Sequence, residues 1–481
     1  MKTLKTLTIF AALLMLASCY RFDPHEAHYT DGPIWPDYAD VTIPAGIAPL
    51  NFCYTAEHAK APVTTFSCED VQISIKGSEV VWKEKDWKRL MAKAVGKDIQ
   101  VSSSVLDKGW TMHVSPDPMD DGLVYRMLAP GYEVFSKMGI YQRETFSYRQ
   151  SAIIENTMFD GCVNCHAFNR GDASNYSLHI RGDHGATLLD IDGKMEAYNT
   201  KTDETLGFCV YPYWHPSGNY IAYSTNNTRQ SFHVTQEKLI EVFDLASDMQ
   251  IYDIRKNQVI TAPQIKLDDI WETFPAFSAD GKSLYFCGAK ARPIPAELDQ
   301  IRYNLYRVDF DPETGNVGKE VELVVDAEGM GKSISFPKPS YDGNFLVYTL
   351  SDYGNFSIWH HEADLWMLDL RTGECRPMDK VNSPDTESYH SWSSNSRWMV
   401  LSSRRDDGLY TRLYITHIDE NGNEAKPFML PQEHPLHFYA TLNLSYNVPE
   451  FVTSAVSMDK VEARKKINSP QRIPFGFRWS E

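Results

Sequence analysis

Two cysteines and a histidine stand close enough in this chain to act on one chemical group. They form the string Cys162-Val163-Asn164-Cys165-His166. In such a string each thiol adds across one vinyl group of a porphyrin, and the histidine ligates the iron. The spacing predicts one covalent haem c on Cys162, Cys165 and His166. Two alternatives stay open: a disulfide or redox dithiol, and a zinc site that would need further ligands nearer than Cys209.

The string leaves the sixth iron ligand open. His179 and His184 follow it closely, and Met158 and Met195 lie within the same stretch of chain. We expect His179 to be the distal ligand if one exists. A five-coordinate iron with an open site for a small ligand is the alternative.

The amino terminus predicts export, which covalent haem attachment requires. Lys2 and Lys5 precede a short apolar run, and Leu16-Ala17-Ser18-Cys19 resembles a lipoprotein signal peptidase site. We expect residues 1–18 to be removed, Cys19 to be lipidated and residues 19–40 to form a tether. This predicts a lipid-anchored protein of the bacterial envelope, at the outer membrane and facing the periplasm.

Composition narrows the class of protein. The formal net charge is −17, so the chain lacks the basic surface that a nucleic-acid partner would require. Aromatic residues make up 12%, and 27 Gly and 26 Pro are spread through the chain. This combination favours many short strands separated by turns.

A repeat begins near residue 208 and indicates the fold. Four segments align without gaps, starting at Tyr211, Phe274, Phe336 and Tyr389, and their turns fall at positions 218, 281, 343 and 396. An alternating apolar run follows each turn, as in a β-hairpin. The repeat predicts an all-β protein built as a β-propeller.

These segments resemble the Tol-type β-propeller repeat, whose signature is Pro-x-Trp-Ser-Pro-Asp-Gly. The whole chain is similar to a group of Bacteroidetes lipoproteins labelled Tol-like propeller or cytochrome-biogenesis proteins. The resemblance implies a propeller over 176–460, with six blades expected and seven as the alternative. We expect a β-rich N-terminal domain over 41–160, a haem-attachment segment over 161–175 and a C-terminal tail over 461–481.

Two further sites are predicted. Cys53 and Cys68 could form a disulfide, since closing a 15-residue loop in an oxidising compartment contributes about 3 kcal/mol; two buried free thiols are the alternative. Glu272 and Glu387 occupy equivalent repeat positions, while His390 and His215 replace the repeat's usual Pro and Ser. These four residues form a candidate channel site, with ordinary loop polar residues as the alternative.

Three functions remain at this point. The first is a haem protein that transfers electrons to or from an envelope partner docked on the propeller. The second is a haem-dependent oxidoreductase or sensor. The third is a Tol-like scaffold for protein–protein interaction in the envelope, in which the cysteine pair is structural. We expect electron transfer rather than conversion of a substrate.

Overall fold

A computed structural model describes residues 32–130, 137–159, 161–233 and 238–481. The predicted signal peptide, the lipidation site Cys19 and most of the tether lie outside these residues. None of the helices described is long and apolar enough to cross a membrane.

The described N-terminal part, residues 32–115, contains eight strands and one helix. The strands are β1 (Ile34–Trp35), β2 (Thr42–Pro44), β3 (Phe52–Tyr54), β4 (Val63–Cys68), β5 (Val71–Lys76), β6 (Glu79–Val80), β7 (Asp98–Ser103) and β8 (Trp110–Ser115). They form two sheets, ordered β1-β3-β6 and β2-β8-β7-β4-β5. Helix α1 (Glu84–Ala94) buries Trp87 and Leu90 on one face. Trp35 is buried in the core, so the folded domain begins before position 41, inside the predicted tether.

Six antiparallel sheets follow in the described residues, and they are the blades of a propeller. Blade 1 contains β9 (Gly122–Leu128), β10 (Gly139–Glu144) and β11 (Gln150–Glu155). Blade 2 contains β12 (Cys162–Asn169), β13 (Asp172–Arg181), β14 (Ala186–Ile191) and β15 (Lys194–Asn199). Blade 3 contains β16 (Cys209–Trp214), β17 (Tyr220–Phe232), β18 (Ile240–Asp253) and β19 (Gln258–Thr261).

The remaining blades repeat this arrangement. Blade 4 contains β20 (Ile270–Phe277), β21 (Ser283–Lys290), β22 (Asn304–Asp311) and β23 (Asn316–Val325). Blade 5 contains β24 (Ser333–Pro339), β25 (Phe345–Ser351), β26 (Asp364–Asp369) and β27 (Cys375–Pro377). Blade 6 contains β28 (Glu387–Trp392), β29 (Trp398–Ser403), β30 (Arg412–His417) and β31 (Phe428–Met429).

A C-terminal strand closes the ring. β32 (Ser445–Val452) pairs with β9 and becomes the inner strand of blade 1. The inner strands then contact one another in a closed circle, in the order β12, β16, β20, β24, β28 and β32. The fold prediction of a β-propeller is confirmed, with six blades.

The domain boundaries differ from the sequence prediction. Residues 122–155, expected in the N-terminal domain, belong to blade 1, and the expected haem-attachment segment 161–175 is β12 with the start of β13. The reason is that blade 1 is assembled from strands more than 300 residues apart in sequence. Such pairing leaves no local pattern.

The repeated turns have a shared chemistry. In blade 4 the Ser278 hydroxyl donates to Asp280 and accepts from the backbone N–H of Ser283, and Gly281 takes φ 72°. That positive φ favours glycine. In blade 6 Ser396 occupies the same position at φ 60°, and its hydroxyl accepts from the backbone N–H of Asp342 in blade 5. The neighbouring blade therefore supports the turn that lacks glycine.

The C-terminal residues are integrated into the propeller. Helices α2 (Pro435–Thr441) and α3 (Lys460–Asn468) flank β32, and short 3-10 turns occur elsewhere in the described residues, at Asn156–Met158, Pro263–Ile265, Leu298–Gln300 and Ser357–Trp359. The predicted tail then adds β33 (Ile473–Pro474) to the outer edge of blade 2 and β34 (Gly476–Trp479) to that of blade 3, both in parallel. These additions cover two sheet edges that would otherwise be open.

The N-terminal domain is joined to blade 6 by a shared apolar core. Polar contacts reinforce the junction: Trp35 Nε1 donates to Asp406 Oδ1 at 3.3 Å, and His417 Nε2 lies 2.7 Å from Asp117 Oδ2. The domain and the propeller therefore form a continuous folded body.

Candidate functional site

A cavity of about 230 Å³ opens at one mouth of the central channel. Cys162, Cys165 and His166 all line it. Much of the remaining wall is apolar and aromatic, and includes Tyr211, Phe274, Phe336, Tyr389 and Trp359. The predicted haem-attachment residues therefore share one largely apolar cavity.

The repeat itself explains why the string lies there. Cys165-His166-Ala167-Phe168 occupies the position of Phe274-Pro275-Ala276-Phe277 in blade 4. In both strands the pairing shifts at this point, which is a β-bulge, and Cys165 and Phe274 have φ of 46° and 50°. The bulge turns these residues toward the channel. The sequence signal for this location is the alignment of the cysteine string with the aromatic-proline pair of the other blades.

His166 is fully buried. Among the described residues, neither ring nitrogen makes a hydrogen bond of standard geometry, although the Val448 backbone acts on the ring and Glu450 Oε1 lies 3.7 Å from Nε2. Burial, followed by the charge of Arg126, lowers the pKa of His166 to about 3. The imidazole is therefore neutral and retains a nitrogen lone pair, the state in which histidine ligates metals.

The two thiols of the string are not bonded to each other. Cys162 is half-buried, and its Sγ accepts from Arg126 Nη2 at 3.4 Å, while Cys165 is buried. Two thiols and an imidazole on one wall suit thioether formation with iron ligation, or reversible dithiol chemistry. Within the described ranges, no three His, Cys, Asp or Glu side chains are grouped as metal ligands, so the zinc alternative gains no further ligand.

A pair of opposite charges marks the narrow part of the channel. Lys338 and Glu450 line both the mouth cavity and a smaller cavity of about 40 Å³ on the hairpin-turn side. Glu450 Oε2 accepts from the backbone N–H of Phe168 at 3.1 Å, and burial raises the pKa of Glu450 to about 7. Burial also lowers the pKa of Lys338, whose Nζ lies 5.0 Å from the Tyr213 ring centre.

The structure brings His390 to the cavity but not His179. His390 lines the wall, and its Nε2 donates to the Val347 carbonyl at 3.0 Å, which leaves Nδ1 without a standard hydrogen bond. His179 Nδ1 instead lies 3.2 Å from Thr187 Oγ1, and its ring contacts Phe208. His179 is not among the described residues that line the cavity, and neither are the other proposed distal ligands, His184, Met158 and Met195.

The other members of the candidate channel site lie outside both cavities. Glu272 Oε1 accepts from the Leu267 N–H at 3.1 Å, and burial raises the pKa of Glu272 to about 9. Glu387 Oε1 instead binds Arg405 Nη2 at 2.8 Å. His215 supports its own turn: Nδ1 lies 2.7 Å from Ser217 Oγ, and Nε2 donates to the Gly281 carbonyl of blade 4 at 2.9 Å.

Cys53 and Cys68 do not form the predicted disulfide. They lie in different sheets, on β3 and β4. The Cys53 thiol donates to the Trp35 carbonyl at 3.3 Å and the Cys68 thiol to the Lys93 carbonyl at 3.8 Å. Each thiol therefore has a local backbone partner.

Three arginines at the mouth were not predicted: Arg126, Arg181 and Arg404. They come from different blades and carry no local motif. Only the assembled ring brings them together.

Comparisons with known proteins found structural similarity at low sequence identity. No family model and no curated protein matches the chain. Among solved structures, a TolB protein of Agrobacterium tumefaciens is 14% identical, with TM-score 0.38 and coverage of 65% of this chain and 89% of that chain. The periplasmic gluconolactonase PpgL of Pseudomonas aeruginosa is 13% identical, with TM-score 0.36 and coverage of 69% and 100%. Prolyl oligopeptidase B of Galerina marginata is 10% identical, with TM-score 0.35 and coverage of 64% and 51%.

The fold is therefore assigned from the sheet topology, and a fold by itself implies no activity. In the described residues the chain is a six-bladed β-propeller with an N-terminal β-rich domain and a cysteine-histidine string at its channel mouth.

Proposed function

We propose that this protein carries one haem c at the channel mouth and transfers electrons in the bacterial envelope. The observation that carries the proposal is that both thiols and the imidazole of one string line the same largely apolar cavity, while neither His166 nitrogen makes a hydrogen bond of standard geometry with a described residue. An unsatisfied buried polar atom is uncommon in a folded protein and is a reason to consider a missing partner.

The residues present fit such a group. Cys162 and Cys165 would hold it through two thioether bonds, and His166 would ligate the iron from its neutral state. Aromatic side chains of blades 3 to 5 would exclude water from one side, including Tyr211, Phe274 and Phe336. When bound, the haem would supply one-electron redox chemistry, with a potential set by its ligands and burial.

Anchoring and partner belong to the same proposal. Lipidation of Cys19 would keep the protein at the outer membrane, facing the periplasm. A net charge of −17 favours an envelope redox partner with a basic docking face, because complementary charge accelerates association.

The test is expression of the full chain in a host that matures c-type cytochromes, followed by a pyridine haemochrome spectrum. We expect the spectrum of a covalent haem in the wild type and its loss in the double variant Cys162→Ala/Cys165→Ala. Cys209→Ala is the matched control, since it removes a buried thiol of blade 3 that does not line the cavity. A wild-type protein without haem under these conditions would refute the proposal.

His166→Ala tests the ligand separately. The thioether bonds should survive, but low-spin features of the optical spectrum should weaken, since the proximal nitrogen is lost. An unchanged spectrum would remove His166 from the proposal.

A protein-interaction scaffold is the second candidate. It is favoured by the long β17–β18 hairpin, which exposes the apolar side chains of Phe232 and Leu245. Exposed apolar groups often mark contact surfaces. This function would be favoured if partner proteins keep their normal envelope localisation in cells with the cysteine double variant. The same proteins should lose that localisation in cells with Phe232→Ser/Leu245→Ser.

A further inference from the structure

One side of the channel mouth is cationic. Arg126 lies on β9 of blade 1, Arg181 ends β13 of blade 2, and Arg404 follows β29 of blade 6. These blades are neighbours in the ring, so the three arginines come from one half of it. The aromatic wall comes mainly from the opposite half, blades 3 to 5. The mouth is therefore apolar on one side and positively charged on the other.

Among the described residues, the positive charge at the mouth has no ion-pair partner. None of Arg126, Arg181 and Arg404 forms a salt bridge with the acidic residues that the structure describes. Glu450 is the one carboxylate among the described lining residues, and it also lines the smaller cavity with Lys338. The chain as a whole has a net charge of −17, so a cavity lined by three arginines is a local exception.

Arg404 is fixed by its contacts and keeps one hydrogen-bond donor available for a ligand. It is buried, its Nε donates to the Ile358 carbonyl at 2.6 Å, and its guanidinium lies 3.3 Å from the Trp359 ring centre. Its Nη2 has no hydrogen-bond partner among the described residues. Burial lowers the pKa of Arg404 to about 9, although Asp385 and Asp407 act in the opposite direction. Keeping a cation in this position is costly unless an anion is bound there.

Arg126 shows the same incomplete pairing. Among the described residues, its Nη2 contacts two sulfur atoms, Cys162 Sγ at 3.4 Å and Met138 Sδ at 3.5 Å, and its buried Nε has no hydrogen-bond partner there. Sulfur is a weak acceptor. Arg181 is exposed and lies directly opposite Cys162 in the β12–β13 pairing.

We propose that Arg126, Arg181 and Arg404 form a carboxylate-binding site for a flat, apolar ligand that carries acidic groups on one edge. Arginine binds carboxylates through two parallel hydrogen bonds, and the opposite aromatic wall accepts the apolar part. If the protein carries haem, the carboxylates are the haem propionates, and the inference then rests on the proposed function. A soluble aromatic carboxylate offers the same chemistry.

The test uses metal-free protoporphyrin IX and its dimethyl ester as probes on the Cys162→Ala/Cys165→Ala chain. Without iron and without thiols, binding reports neither iron ligation nor thioether formation, so it is independent of whether the wild type carries haem. We expect porphyrin fluorescence titration to give the free acid at least a tenfold lower Kd than the ester. Equal affinity of the two probes would overturn the site.

Variants assign the effect to the arginines. Arg404→Gln and Arg181→Gln should each reduce the preference for the acid at least threefold, and Arg181 is exposed, so its replacement leaves the fold intact. Arg371→Gln is the control, because that exposed arginine pairs with Asp369 in a blade 5 turn away from the mouth. A preference for the acid that persists in both mouth variants would overturn the assignment.

A second probe separates the two sources of carboxylate. Phthalate carries two carboxylates on a small aromatic ring. Displacement of the porphyrin by phthalate, lost in Arg404→Gln, would assign the site to soluble aromatic carboxylates. Binding of the porphyrin acid without displacement by phthalate would assign it to haem propionates. Failure of both probes to bind would refute the proposed site.

Discussion

Replacing Glu272 by glutamine should stabilise this protein at neutral and alkaline pH. The side chain is fully buried in blade 4, one oxygen accepts from the Leu267 N–H, and the other oxygen has no partner. Burial raises its pKa to about 9, with Asp248 and Asp269 adding to the rise. The folded protein therefore keeps this carboxyl protonated at pH 7, and glutamine imitates that neutral form.

The size of the effect follows from the two pKa values. In the unfolded chain Glu272 ionises near pH 4.5, and in the folded protein near pH 9. Because the folded pKa is raised, the side chain favours folding fully only below pH 4.5, and this contribution is lost as the pH rises toward 9. The loss is about 1.4 kcal/mol per pH unit in that window, so the wild type should lose up to about 4 kcal/mol relative to Glu272→Gln between pH 5 and pH 8.

Urea unfolding of both proteins at pH 5 and pH 8 measures this difference. Glu387→Gln is the matched control at the equivalent repeat position, where the carboxylate binds Arg405 at 2.8 Å. Loss of that partner leaves a buried cation unpaired, so Glu387→Gln should destabilise by about 3 kcal/mol. A free-energy difference between wild type and Glu272→Gln that stays constant with pH would refute the reasoning.

Three further predictions concern residues outside the channel mouth. Gly281 has a φ of 72°, and Gly281→Ala would place a methyl group against the buried His215 ring, so it should lower the free energy of unfolding by about 3 kcal/mol. Gly331→Ala is the control, because Gly331 has a φ of 70° but open space around it, and it should lower that free energy by only about 1 kcal/mol in the same urea assay. Equal losses in the two variants would mean that His215 does not link blades 3 and 4. Phe475 stacks on Tyr252 with ring centres 3.9 Å apart, so Phe475→Ala should lower the free energy of unfolding by about 3 kcal/mol, and a negligible change would show that the C-terminal strands do not stabilise blade 3. Cys53 and Cys68 should both react with a thiol reagent in the unreduced, denatured protein, while a peptide joining them in a non-reducing digest would contradict the structure.

The local parts of the fold could be predicted from the sequence. The turn at Ser278, Asp280 and Gly281 is held by hydrogen bonds within six residues, so its residue pattern is repeated wherever the turn recurs. Helix α1 likewise has a local pattern, since its buried residues Trp87, Leu90 and Met91 recur at helical spacing. Elements that are held by contacts between residues close in the chain can therefore be recognised from a local sequence pattern.

The non-local parts of the fold and of the site could not be predicted from the sequence. The pairing of β32 with β9 sets the start of the propeller, but either strand alone resembles any other strand. Glu272 and Glu387 share a repeat position and differ because one has an arginine partner from its own blade and the other does not. Arg126, Arg181 and Arg404 meet only when three blades assemble. In each case the property depends on neighbours that are distant in the chain.

A mass measurement on one peptide decides whether Cys162 and Cys165 carry haem. Trypsin should release residues 150–170 as a single peptide, since Arg149 and Arg170 flank a stretch without lysine or arginine. Mass spectrometry of this peptide, from the full chain expressed in a host that matures c-type cytochromes and purified without reduction, should show the added mass of one haem on Cys162 and Cys165. A peptide with two unmodified thiols, or with the two sulfurs joined as a disulfide, would contradict the account.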